Sequence, residues 1–259
     1  MRNPKSILIT GASSGLGEAL ALDYAAPGIL LALTGRDRTR LEAVAGACRD
    51  AGATVIAETV DVVDEPAMKD FVARIHAERP LDLVIANAGI SIGTGTATEA
   101  QEQTQTVMRI NVDGVVNTIA PAVALMREKP APGPGPRGQV AIMSSLAGFR
   151  GFPGAPAYCA SKAAGRVWGE AMRGELHQFG IEVSVICPGY VRTPMTATNQ
   201  FRMPFLMDAE RAARIMRRGL ERDRGRIVYP WRLYLLVRIL LALPMPLTDR
   251  MLRRLPKKA

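Results

Sequence analysis

The sequence predicts an α/β fold built on one doubly wound parallel sheet of about seven strands. Three observations carry that prediction. Short apolar runs alternate with helix-patterned runs from residue 6 to residue 229, the pattern of a parallel sheet covered on both faces. The first apolar run passes straight into a glycine-rich turn that opens a helix. A chain of 259 residues with 48% hydrophobic content is enough for one large, well-buried core. The expected organisation is one domain over 1–230 and a helical extension over 231–259.

The elements follow in order. Ser6–Ile9 reads as a short buried strand, Thr10-Gly11-Ala12-Ser13-Ser14-Gly15-Leu16-Gly17 as the turn, and Glu18–Ala25 as the helix. Glycines at such a turn permit positive φ and let backbone amides approach a pyrophosphate at the amino end of the helix, where the dipole favours an anion. The spacing is Gly-x-x-x-Gly-x-Gly rather than the commoner Gly-x-Gly-x-x-Gly. A second strand, Ile29–Thr34, ends in Gly35-Arg36-Asp37-Arg38. An acid at this strand end suits a ribose 2′-hydroxyl and an arginine suits a 2′-phosphate, so Arg36 points to NADP(H) over NAD(H), with Ser13 or Ser14 assisting. Asp37 leaves room for dual use.

A helix over Thr39–Arg49 leads to a third strand, Thr54–Val60, closing on Asp61 and Val62. Asp61 fits two roles equally, accepting from an adenine amino group or capping the next helix. After a helix over Glu65–Glu78 comes Leu81–Gly89, an apolar strand ending in Asn87, Ala88 and Gly89, small enough for a backbone lying against a flat ligand. A long helical region over Thr98–Lys129 contains Asn111. Pro130–Pro136 reads as a stiff surface loop without chemistry. Strands over Gln139–Met143, Ile181–Cys187 and Ile227–Tyr229 complete the sheet.

The stretch Ser144–Lys162 concentrates the reactive groups. Ser144 and Ser145 stand thirteen residues or so ahead of Tyr158, and Lys162 follows four residues later. On a helix that spacing puts phenol and ammonium on one face, where the ammonium favours ionisation of a phenol whose reference pKa is near ~10.

Taken together these residues resemble the short-chain dehydrogenase/reductase family, over roughly residues 5–230. The family's Thr-Gly-x-x-x-Gly-x-Gly motif is met in full at Thr10–Gly17, which implies a Rossmann-like fold. The resemblance implies a catalytic set of Asn111, Ser145, Tyr158 and Lys162, with Pro188, Gly189, Val191 and Thr193 closing over the nicotinamide. Ala86-Asn87-Ala88-Gly89 departs from the family's Asn-Asn-Ala-Gly at its first position, which bears on local sheet packing more than on activity. The chemistry implied is carbonyl–alcohol interconversion with Tyr158 as general acid and base. In it Ser145 bonds the same oxygen, Lys162 holds the nicotinamide ribose and Asn111 positions a water. The alternative is a catalytically silent dinucleotide-sensing protein, for which Ser145, Tyr158 and Lys162 together would be unnecessary.

Composition bounds the rest. Cys48, Cys159 and Cys187 are widely spaced and read as reduced, buried small hydrophobes. His76 and His177 lie in charged helical stretches and read as surface residues. No metal is expected. The amino terminus lacks the apolar core of a secretory signal, so a cytoplasmic location is expected. Pro194–Met207 mixes polar residues with Phe and Met and reads either as a mobile lid over an apolar carbonyl or alcohol substrate or as a surface segment plugging the core.

The net charge of +9 is uneven: residues 1–200 hold 18 Lys and Arg against 19 Asp and Glu, and residues 201–259 hold 15 against 5. Trp231–Leu243 has 11 apolar residues of 13, too few for a span that needs about 20. Before the basic end, Arg250–Lys258, this segment fits packing on the domain or a partner subunit, or peripheral contact with a membrane over 231–258. Nucleic acid is not an expected partner, since no binding module accompanies the charge. A homodimer or homotetramer through the Asn111 and Tyr158 helices is implied by the family resemblance.

Overall fold

A computed structural model describes residues 3–95, 98–128 and 135–253, which fold around a seven-stranded sheet. β1 (Ser6–Thr10) leads to α1 (Gly15–Tyr24), β2 (Leu30–Thr34) to α2 (Arg38–Asp50), and β3 (Thr54–Glu58) to α3 (Glu65–Glu78). After β4 (Leu83–Ala86) come α4 (Gln101–Met108), a π-helical turn (Arg109–Asp113) and α5 (Gly114–Glu128). β5 (Gly138–Met143), α6 (Pro156–Leu176), β6 (Ile181–Pro188), the short α7 (Pro194–Ala197), α8 (Ala209–Glu221) and β7 (Arg226–Tyr229) complete the sheet and its cover. α9 (Trp231–Ala242) and α10 (Met245–Leu252) follow.

The strands run in the order β3-β2-β1-β4-β5-β6-β7, and every pair is parallel. The chain first winds outward from β1 to β3, then returns to lay β4 against the other side of β1. That reversal opens a crevice at the carboxyl ends of β1 and β4, where doubly wound sheets bind ligands. Alternation sorts the core. Ile7 and Ile9 pack with α1, α2 and α8, whereas Leu8 packs with α3 and α5. Helix starts have local causes: Asp37 and Asp64 accept the backbone amides of Arg40 and Ala67, each at 3.0 Å.

Three differences from the sequence expectation have physical reasons. The strand expected over Leu81–Gly89 stops at Ala86 because the amides of Asn87 and Ala88 both turn to the Thr10 hydroxyl, each at 3.1 Å. The helix expected over Thr98–Lys129 begins at Gln101 and is broken by the π turn that carries Asn111. The extension holds a second helix, α10, pinned to the domain by Arg150, which bonds Thr248 at 2.9 Å and Asp249 at 3.2 Å. Ala86, the departure from the family motif, is buried and pairs with Ile142 of β5. Residues 130–134 of the expected loop, residues 254–258 of the basic end and Lys129 lie outside the described residues.

α6 carries the central pair of side chains and lies close to the sheet through glycines. A Cβ at Gly169 would meet Val185 Cγ2 at 2.6 Å and Ile142 Cδ1 at 3.0 Å, while one at Gly165 would meet only Ile142 Cγ2 at 3.4 Å. Gly169→Ala is expected to cost about 1–3 kcal/mol by overpacking against a stiff valine. Gly165→Ala, one turn earlier, is expected to be neutral or stabilising by up to about 1 kcal/mol through helix propensity. Urea unfolding midpoints of the two variants check the contrast; equal losses would contradict the close approach at Gly169.

Candidate active site

At the reversal between β1 and β4 the turn after β1 is shaped by missing side chains. Gly11 and Gly15 have φ of 66° and 63°, the left-handed region that glycine adopts without strain. A Cβ on Gly17 would overlap the Gly11 carbonyl oxygen and meet Asn87 Nδ2 at 2.6 Å. Ser14 caps α1 without a side-chain bond, so the first amides of that helix keep no side-chain acceptor. The Asn87 side chain closes the turn from the β4 side, donating to the carbonyls of Thr10 at 2.9 Å and Gly11 at 3.1 Å.

This turn lines one end of a cavity of about 770 Å³. Gly11, Ser13, Ser14, Gly15, Leu16, Arg36, Asp61, Val62, Asn87, Ala88 and Gly89 line it, as do Ser145, Tyr158, Lys162, Pro188, Gly189, Val191 and Thr193. Gly17 and Asn111, also expected at the site, stand outside the lining. Gly17 serves the turn's close approach instead, and Asn111 lies behind Gly89, with its Oδ1 3.0 Å from where a Gly89 Cβ would stand. A cavity of this size with unpartnered helix-end amides and backbone stripped of side chains fits a dinucleotide.

The rim beyond β2 is positive. Gly35 has no room for a side chain beside Ser13, whose Oγ would lie 2.9 Å from an added Cβ. Arg36 and Arg38 line the cavity and have no carboxylate partner among the described residues. Asp37 is engaged elsewhere: it caps α2 and pairs with Arg40 Nε at 2.8 Å, and these bonds hold its carboxyl below the usual range. The room left for a ribose 2′-hydroxyl at Asp37 is therefore small. Arg38 and Arg40, which also lines the cavity, escaped the sequence reading; the spacing of two between Arg36, Arg38 and Arg40 was the available signal. Asp61 accepts the Val63 amide at 3.1 Å and lines the cavity as well, so cap-like and ligand-facing positions coincide.

At the other end Ser145, Tyr158 and Lys162 converge. The Lys162 ammonium is buried, donates to the Met143 carbonyl at 2.8 Å, and lies 5.8 Å from the centroid of the Tyr158 ring. Burial brings its pKa down to about 8. Burial also pushes the Tyr158 phenol up, with Ser145, within hydrogen-bonding reach, working the other way. The sequence reading had Lys162 lowering this phenol; here burial sets the direction and the group working against it is Ser145. Ser144 donates to the Lys162 carbonyl at 2.7 Å, and Asn111 bonds the Ile90 amide at 2.8 Å, the Ile90 carbonyl at 2.9 Å and Ser161 Oγ at 3.0 Å. A residue the sequence reading missed, Glu99, accepts the Ala157 amide at 2.9 Å and so fixes the turn of α6 that carries Tyr158.

The three cysteines are buried and free, and burial pushes all three thiols up. His177 is exposed, while His76 is half-buried and accepts the Leu81 amide at 3.4 Å. No cluster of metal-ligating side chains occurs among the described residues.

Comparison with known proteins agrees with this geometry. The family model for short chain dehydrogenase matches residues 5–203. An uncharacterized oxidoreductase of Myxococcus xanthus is 38% identical over 252 residues, covering 97% of both chains. Two solved structures share the fold. A short-chain dehydrogenase/reductase of Burkholderia phymatum in complex with NAD has a TM-score of 0.79 at 22% identity, covering 98% of this chain and 97% of its own. A short-chain dehydrogenase of Sphingobium yanoikuyae in complex with NADPH has a TM-score of 0.78 at 24% identity, covering 93% and 96%. With the family model matching residues 5–203 and a relative 38% identical over 97% of both chains, the chain belongs to the short-chain dehydrogenase/reductase family, NAD(P)-dependent oxidoreductases acting on CH–OH groups.

Proposed function

We propose that the protein is an NADP(H)-dependent reductase or dehydrogenase that interconverts an apolar carbonyl compound and its secondary alcohol. The observation that carries this reading is a single cavity with free arginines at one end and Ser145, Tyr158 and Lys162 at the other. Neighbours of the same fold are known with NAD and with NADPH, so the choice rests on Arg36 and Arg38 and on the occupation of Asp37 by Arg40. Amides of the Gly11–Leu16 turn would hold the pyrophosphate, Asp61 and Val62 would border the adenine, and Asn87, Ala88, Gly89, Pro188, Gly189, Val191 and Thr193 would enclose the nicotinamide end. Bound there, the nicotinamide supplies or accepts hydride.

The chain's own residues handle the proton. A phenol held above its ordinary value is protonated at neutral pH, so Tyr158 enters as the acid and donates from Oη to the carbonyl oxygen; in the reverse direction it takes the proton back. Ser145 Oγ bonds the same oxygen and fixes its distance. Lys162 holds the ribose hydroxyls, and Asn111, locked between Ile90 and Ser161, supports the wall behind Gly89 and a water path to solvent. Pro194, Met195 and Thr196 of α7 border the cavity, and Met195 is exposed, which suits a lid that closes on an apolar ligand. Nothing in this arrangement favours a binding-only role. We also propose a cytoplasmic homodimer or homotetramer, in which 231–258 packs on the domain or a partner subunit or makes a peripheral membrane contact.

Three outcomes test the reading. Tyr158→Phe is expected to keep NADPH affinity and lower kcat by about 10²–10⁴-fold, measured on a panel of lipophilic ketones and alcohols; a kcat near wild type would remove Tyr158 from its role. Arg36→Ala is expected to weaken NADPH binding by about 1.5–3 kcal/mol, roughly 10- to 150-fold in Kd, and leave NADH almost unchanged. The third is a stability measurement. Lys162 titrates at about 8 when folded and at 10.5 when unfolded, so between these values the unfolded chain binds more protons and stability rises with pH. The full penalty is present below pH 8. The difference in unfolding free energy between wild type and Lys162→Met should shift by about 3 kcal/mol in favour of wild type between pH 8 and 10.5; a flat difference would show that the ammonium is solvated.

A further inference from the structure

α9 lies with one face on the domain. Leu233, Tyr234 and Val237 pack with Leu146, Val185 and Cys187. The opposite face is apolar too: Trp231, Leu235, Leu236 and Ile239 are 66%, 51%, 53% and 51% exposed. α10 continues the patch with Met245, Leu247 and Met251, all exposed. Nine of the fifteen large hydrophobic side chains exposed among the described residues fall between 231 and 251. A helix that is apolar all round is ordinarily covered on every side, and a patch this continuous marks a docking surface.

Charge identifies the occupant. Arg232 stands among these apolar side chains, three and four residues from Leu235 and Leu236, and Arg238, Arg250 and Arg253 lie along the same two helices; all four are exposed, and none has a carboxylate partner among the described residues. The only acidic residue of the two helices, Asp249, is taken by Arg150. A second copy docked through a two-fold axis would bring this patch against itself, arginines facing arginines with no free carboxylate between them. An anionic lipid surface answers both features, since apolar side chains enter the acyl boundary and arginines reach the headgroups. α9 does not span: its 12 residues rise about 18 Å, against a hydrocarbon core about 30 Å thick, and no helix among the described residues is long and apolar enough to cross a membrane.

We propose that the outer faces of α9 and α10 form a docking surface for an anionic lipid bilayer, with Trp231, Leu235, Leu236 and Ile239 entering the interface and Arg232 and Arg238 contacting headgroups. This names the surface and the lipid class behind the peripheral contact given above. It does not depend on the oxidoreductase chemistry, and its test reads no turnover. The full-length protein is mixed with vesicles of phosphatidylcholine alone or of phosphatidylcholine with phosphatidylglycerol, and bound protein is measured by flotation. Binding is expected to require phosphatidylglycerol and to fall with added salt. Each arginine near the anionic surface contributes about fivefold to affinity, so Arg232→Gln/Arg238→Gln is expected to weaken binding roughly 25-fold. Leu235→Gln/Leu236→Gln is expected to abolish binding with an unchanged thermal midpoint, because both side chains already face solvent. Folded wild-type protein that ignores anionic vesicles, or binding that both variants leave intact, would overturn the proposal. So would a dimer in sedimentation velocity that Leu235→Gln/Leu236→Gln dissociates while vesicle binding is absent, which would give the surface to a second copy.

Discussion

The contact on which the site depends is an approach of backbone to backbone at the reversal of the sheet. The Gly11 carbonyl lies where any side chain on Gly17 would have to stand, and the Asn87 amide nitrogen closes the same space from β4. Because Gly17 lies within α1 and Asn87 just beyond β4, this one contact fixes the start of the helix against both strands of the crevice. Thr10 completes the lock by accepting two amides from the β4 end. A side chain at Gly17 would have to move main chain rather than a rotamer, and the first amides of α1 would move with it.

Lys162 meets a similar constraint at the other end of the cavity. Its main-chain carbonyl accepts from Ser144 and its ammonium donates to the Met143 carbonyl, so two consecutive residues at the end of β5 hold both the backbone and the charged tip of Lys162. Two glycines make the space. A Cβ at Gly148 would lie 2.7 Å from the Lys162 carbonyl, and one at Gly89 would lie 3.2 Å from Nζ. A buried cation with one carbonyl partner is costly, and such cost concentrates where a site needs a preset charge. The π turn of Arg109–Asp113 adds to this wall. A π turn rotates the residues it carries out of the α-helical register, and Asn111 here reaches both the Ile90 backbone and Ser161.

The sequence made elements legible where local signals agreed. α3 forms over the residues read for it, Glu65–Glu78, because a capping Asp64, Pro66 in its first turn and an apolar stripe at Met68, Phe71, Val72 and Ile75 all point the same way. The cavity was legible where its residues fall in local motifs: Gly11, Ser13, Ser14, Gly15 and Leu16 of the turn, and Ser145, Tyr158 and Lys162, all line it. What remained hidden depends on groups far apart in the chain. α10 is eight residues long and is held by bonds to Arg150 that cross 98 and 99 residues. Glu99 acts on α6 from 58 residues away. Spacing shows a lysine four residues beyond Tyr158, whereas the burial that sets the direction of the Tyr158 shift is a property of the whole fold.

The carboxyl-terminal helices are coupled to the cavity by one more absent side chain. Gly189 lines the cavity, and a Cβ there would meet Leu233 Cδ2 at 2.8 Å and Pro230 Cδ at 3.0 Å. Its amide donates to the Tyr229 carbonyl at 2.7 Å, so the loop after β6 is tied to the end of β7 where α9 begins. Leu233 therefore presses on the cavity wall, while Leu235 and Leu236, two and three residues on, face outward. The inner face of α9 therefore lies directly against the loop that carries Gly189. The same helix thus has two constraints, close packing on the loop after β6 that lines the cavity and an outer apolar face that stays exposed. An alternating stripe could satisfy only the first. A helix with apolar residues on two opposite faces satisfies both.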